Sequence, residues 1–154
     1  FIDDKSILKL KANSEATIAG QRTSASISKK INMDSGTVRA TITKQNVDFV
    51  IQTPTSVASV KGTDFWLLSD PISGDEVIGL DGVVNLVNNE TGEEVDVTEG
   101  NSGTSNPDGS VGIEETDPNS IPDDPSDDQD GPSQIRIYLD GPNGEQKTIV
   151  IDYQ

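Results

Sequence analysis

Along the first hundred positions, apolar residues recur mostly at every second place, in short runs cut by turn residues. This period-2 pattern predicts strands. Residues 5–11 (KSILKLK) place Ile7 inward and the lysines outward, Asn13-Ser14 forms a turn, and residues 15–19 (EATIA) return as a second strand. A polar, weakly alternating run follows to Lys30. Residues 31–36 then end in a turn, and residues 37–43 (TVRATIT) form an amphipathic strand through Val38, Ala40 and Ile42. The densest apolar stretch is Phe49–Leu68, FVIQTPTSVASVKGTDFWLL. Pro54 lacks the N–H that a central ladder needs, and Gly62 supplies free backbone for a bend. The stretch therefore reads strand, corner, strand, tight turn, strand, with Phe49, Ile51, Val57, Val60, Phe65 and Leu67 as core anchors. Residues 76–80 (EVIGL), a primed-type Asp81-Gly82 turn, residues 83–87 (VVNLV) and residues 93–98 (EEVDVT) continue the series. No segment longer than about ten residues has helical spacing, so the predicted class is all-β.

The pattern breaks at Glu99. Residues 99–132 are rich in Asp, Pro, Gly and Ser, with Val111, Ile113 and Ile121 as the apolar exceptions. Such a composition buries too little surface to offset its own ordering entropy. Alternation resumes in residues 134–140 (QIRIYLD) and 147–153 (KTIVIDY) around Gly141-Pro142-Asn143-Gly144, a hairpin signal. The expected organisation is a β-domain over 1–101, an acidic linker over 102–133 and a C-terminal β-hairpin over 134–154. A lone hairpin is marginal in water, so this one needs a surface to dock on. Both extra strands on the parent sheet and strand addition to a neighbouring copy, through Ile135, Ile137, Leu139, Ile149 and Ile151, are compatible with the pattern.

Charge sharpens this division. Residues 1–61 carry 9 basic and 5 acidic side chains, residues 62–135 carry 19 acidic and none basic, and residues 136–154 carry 2 and 3, giving the net of −16. That distribution disfavours nucleic acid, whose phosphates need a basic footprint, and favours cations or head-to-tail contact between unlike faces of copies. There is no Cys and no His, which removes thiolate chemistry and the commonest general base, and no apolar run is long enough for a membrane helix. No nucleophile–base or phosphate-loop pattern is present, and a non-enzymatic role is expected. Phe1 in place of Met indicates either a mature product after signal removal or a piece trimmed from a longer chain.

The acidic tract raises calcium. Asp123, Asp124, Asp127, Asp128 and Asp130 offer hard oxygen ligands within eight residues, which suits Ca²⁺, although the full twelve-residue loop spacing fails at Ser126 and Ile137. A solvated acidic linker is the alternative reading.

The motif in Phe49–Leu68, a T-P followed by small and apolar residues and then V-K-G-T-D-F, resembles the FecR domain of bacterial extracytoplasmic proteins. Residues 80–87 (LDGVVNLV) are similar to that family's hairpin and residues 91–100 (TGEEVDVTEG) to its closing strand. Residues 8–18 (LKLKANSEATI) are similar to its first two strands. The resemblance spans about residues 1–101 and implies an all-β, twisted sandwich or jelly-roll-like FecR-type domain outside the cytoplasm. The family's best-known members are membrane-anchored regulators of sigma factors that receive a signal from outer-membrane transporters; other members are secreted or surface proteins.

Two functions fit these observations. The favoured expectation is a secreted, non-enzymatic structural subunit that self-assembles, as a filament or head-to-tail, by β-strand addition supported by Ca²⁺. The alternative is a periplasmic signal-sensing domain of a FecR-type sigma-factor regulator that binds a transporter or peptide. Either places the chain outside the cytoplasm, with a secreted or cell-surface location preferred to the periplasm.

Overall fold

Alternating side chains, with turn residues between them, fold as thirteen strands among the described residues. The computed structural model describes residues 6–22, 27–44, 48–123, 133–140 and 146–153, with side chains over 6–18, 30–44 and 48–123. In chain order the strands are β1 (Ile7–Leu10), β2 (Glu15–Arg22), β3 (Ile27–Ile42), β4 (Phe49–Gln52), β5 (Ser56–Val60), β6 (Thr63–Asp70) and β7 (Gly74–Asp81). They continue with β8 (Val83–Asn88), β9 (Glu94–Thr98), β10 (Asn101–Ser105), β11 (Val111–Glu115), β12 (Ser133–Asp140) and β13 (Gln146–Tyr153). Eleven form one ladder in the order β11-β10-β7-β6-β3-β4-β5-β8-β9, with β1 and β2 also paired to β3. The β3–β4 pair is parallel, and the other pairs are antiparallel.

The strand β3 joins the two layers. Its first half pairs with β2 and β4 and its second half with β1 and β6. The change falls at Gly36, with φ +115°, where a Cβ would lie 2.2 Å from Ser14 Oγ. That hydroxyl accepts from Thr37 N at 2.9 Å. The turn expected at 31–36 is therefore a bend within one continuous strand, made possible by a glycine in the left-handed region.

The core lies between a layer of β6, β7 and β10 and a layer of β4, β5 and β8, and includes Met33, Phe49, Ile51, Phe65, Leu67, Val77, Val84, Leu86 and Val97. Five of the six expected anchors in the central stretch are buried, while Val57 is only half-buried and Ala58 lies inside instead. The Thr53-Pro54 corner resets the parity, so that Ser56, Ala58 and Val60 point inward. Trp66 and Ile78 face the other side of their layer and are nonetheless 1% and 0% exposed. Arg39 lies over the Trp66 ring, 6.0 Å from its centroid, and forks onto Asp64 with bonds of 3.1 and 2.9 Å.

The domain extends past residue 101. In place of an acidic linker from 102 onward, β10 pairs with β7 and carries β11. The sequence NSGTS has no apolar alternation because Val97 of β9 packs directly on Gly103. A Cβ there would come within 2.3 Å of Val97 Cγ2. In the hairpin β12–β13, Ile135 stands opposite Ile151 and Ile137 opposite Ile149. The β12 backbone runs beside β2 of the same chain without joining its ladder.

Candidate functional site

The T-P corner acts as a polar clamp between the layers. Thr53 Oγ1 accepts from Thr55 N at 3.1 Å and Ser56 N at 2.8 Å and donates to Asp75 Oδ2 on β7. Pro54 suits the corner because it needs no ladder partner, while Asn89 Nδ2 donates to Thr53 O at 3.1 Å from the side. Asp75 is 3% exposed, and its register neighbours on the same inner face are Ser69 and Ser105. From the opposite layer, Asn88 Nδ2 donates to Ser105 Oγ at 2.9 Å and to Asn106 O at 2.8 Å. Thr53, Ser56 and Asn88 thus meet Ser69, Asp75 and Ser105 at one end of an otherwise apolar core. Among the described residues, Asp75 Oδ1, Ser56 Oγ and Ser69 Oγ have no hydrogen-bond partner. Burying polar groups in this way costs stability unless they are paired, so the clamp trades cohesion for a defined layer-to-layer register.

The K-G-T turn forms a second junction at the far end of β6. Thr63 Oγ1 donates to Val83 O at 3.1 Å, tying the turn to the Asp81-Gly82 hairpin. Gly62 is required by proximity, since a Cβ would lie 2.7 Å from Lys44 Cα. Lys61 makes a long, exposed ion pair with Asp48, at 3.7 Å.

Beside the clamp, on the outer face of the β6–β7–β10 layer, lies an open groove of about 430 Å³. The cross-strand row Thr37–Leu68–Glu76–Thr104 forms its floor, with Asp70 and Asn106 at its end. Two of these side chains are carboxylates and none of the lining residues is basic. Asp70 Oδ1 accepts from Ile72 N at 2.7 Å and Ser73 N at 3.0 Å. Those backbone donors, Ser73 first and Ile72 second, hold the carboxyl below its ordinary range. The turn displays Ile72 at 89% exposure. The arrangement offers recognition groups: carboxylate acceptors and one exposed apolar side chain at a hairpin turn.

Asp123 is exposed, whereas Asp124, Asp127, Asp128 and Asp130 lie outside the described residues. Among the described residues, no three His, Cys, Asp or Glu side chains are grouped as metal ligands. Ile135, Ile137, Leu139, Ile149 and Ile151 are placed by backbone register alone. Asp75 went unnoticed in the sequence. The available signal was an acidic residue at an inward position, two residues before Val77.

Two layers closed by a T-P clamp and a K-G-T junction define a small all-β domain. The chain belongs to the FecR family: the family described as FecR protein matches residues 2–101, close to two-thirds of its length. No curated protein matches. Two crystal structures of a candidate anti-sigma factor from Parabacteroides distasonis, at 1.65 and 2.50 Å, share the fold. Their TM-scores are 0.63 and 0.60, with 15% and 14% identity, over 75% of this chain and 53% of theirs. The chain thus spans about half the length of those proteins. Membership in this family agrees with a non-enzymatic role and an extracytoplasmic setting. It also corrects the favoured expectation. A secreted, self-assembling filament subunit is overturned by the FecR family match, with which neighbours described as a candidate anti-sigma factor agree.

Proposed function

We propose that the chain is the periplasmic signal-sensing domain of a FecR-type sigma-factor regulator, and that it binds a transporter or a peptide. The observation that carries this reading is the FecR match over residues 2–101, a span that includes the T-P clamp and the K-G-T turn. The neighbours' description as an anti-sigma factor supports it. The groove fits it too, because it offers recognition groups without a reactive pair. Among the described residues no helix is long and apolar enough to cross a membrane. The test is a reporter driven by the cognate sigma factor. Replacing the domain within the complete regulator by an unrelated β-domain should abolish the response to the inducing signal. An unchanged response would refute the assignment.

A further inference from the structure

We infer that the free edge of β11 is a docking strand for an extended, basic segment of a partner protein. The inference deepens the sensory reading, on which it rests, by naming the partner's chemistry.

The strand β11 ends the ladder, and its register with β10 has no shift. The flanking bonds Asn106 N→Ser110 O and Thr116 N→Gly100 O, each 2.9 Å, fix the phase of the pair. In an antiparallel pair, alternate residues exchange both bonds with the partner strand. Gly112 and Glu114 therefore bond toward β10, and the N–H and C=O groups of Val111, Ile113 and Glu115 point away from it. None of those outward groups has a partner among the described residues.

Side chains on this edge also select an occupant. Ile113 lies opposite Gly103 and is 50% exposed, a large apolar side chain left half-covered at the lip of the core. Val111 shares its face and is half-buried. Glu114 and Glu115 are exposed at the end of the strand, and no Lys or Arg occurs anywhere in residues 62–135. Natural edges are commonly blunted by proline, a bulge, an inward charge or a covering element. Here the strand itself has neither proline nor bulge, and its protection is electrostatic. The carboxylates of Glu114 and Glu115 repel the same edge of a second copy and admit a cationic strand. An added strand would extend the ladder through main-chain bonds, with apolar residues opposite Val111 and Ile113 and basic residues opposite Gly112 and Glu114.

The test uses the ¹⁵N-labelled 154-residue chain and the probe peptide acetyl-KVKVTVK-amide, with acetyl-EVEVTVE-amide as control. Amide exchange at Val111, Ile113 and Glu115 should slow about tenfold with the basic probe and remain unchanged with the acidic one. Ile113→Pro removes an outward N–H and keeps both β10-facing neighbours, so it should abolish the effect. Should that variant lose its native circular dichroism, Glu114→Lys with Glu115→Lys replaces it and should weaken probe binding about threefold or more. No slowing, or equal slowing by both peptides, overturns the proposal. In the complete regulator, a lost response in Ile113→Pro supports the edge as the sensing contact. Probe binding without any effect of Ile113→Pro on the response separates the edge from sensing. A normal response in a chain that ignores the probe refutes the edge and leaves the sensory assignment standing.

Discussion

Removing the Thr53 hydroxyl should destabilise the domain far more than removing its proline neighbour. Thr53→Val keeps the shape of the side chain but deprives Thr55 N and Ser56 N of their acceptor and Asp75 of its donor. Both amides belong to buried residues. Each stranded donor costs roughly 1–3 kcal/mol, and loss of a bond to a charged group adds roughly 1.5–3 kcal/mol. Allowing for partial relaxation, the total is about 3–6 kcal/mol, a large share of a typical domain's ~5–15 kcal/mol. Urea unfolding followed by Trp66 fluorescence reads this directly, because the ring is 1% exposed in the folded state. A double-mutant cycle with Asp75→Ala should return a coupling of about 1.5–3 kcal/mol. Asp75→Asn should cost less than Asp75→Ala, since its amide can donate toward the Ser56 and Ser69 hydroxyls, which have no partner among the described residues. A coupling under about 0.5 kcal/mol, within the range seen for independent sites, would refute the clamp.

Other expectations follow from single contacts. Asp70 has a folded pKa below its ordinary 3.8, so the stability it contributes is complete above that value and is lost as pH falls through the lower folded value. Melting curves below pH 4 should accordingly be shallower in Asp70→Asn than in the parent, and identical slopes would remove Asp70 from the acid response. Gly103→Ala places a methyl against Val97 and should cost roughly 1–3 kcal/mol, visible as a melting point several degrees lower; an unchanged melting point would show that β9 does not seat on Gly103. Calcium ligation by Asp123, Asp124, Asp127, Asp128 and Asp130 is proposed from composition. Titration calorimetry should show binding heat that disappears when Asp127, Asp128 and Asp130 become Asn, and a flat titration of the parent would end the proposal.

Much of the fold was readable because side-chain alternation is a local signal. The strands β4, β5, β6, β7 and β8 follow directly from their period-2 runs and the turn residues between them. The strand β10 is unreadable for a physical reason: its inner face carries Gly103 and Ser105, small enough to accept Val97, so apolar alternation is absent where packing is tightest. Continuity of β3 was hidden because Gly36 looks like a stop and acts as a bend. The clamp was half legible. Thr53-Pro54 stood out as a corner, but its partner Asp75 lies 22 residues away on another strand, and pairing across layers leaves no local pattern. The composition of the acidic middle suggests an assembly device, whereas its fold does not. Part of it, β10 and β11, is ordered sheet within the domain.

The most direct measurement of the central claim is a competition for the signal. The 154-residue chain, exported in excess into cells that carry the complete regulator and a sigma-dependent reporter, should sequester the partner and lower induction in proportion to its level. A folded chain that accumulates in the periplasm and leaves induction unchanged would contradict a signal-sensing role.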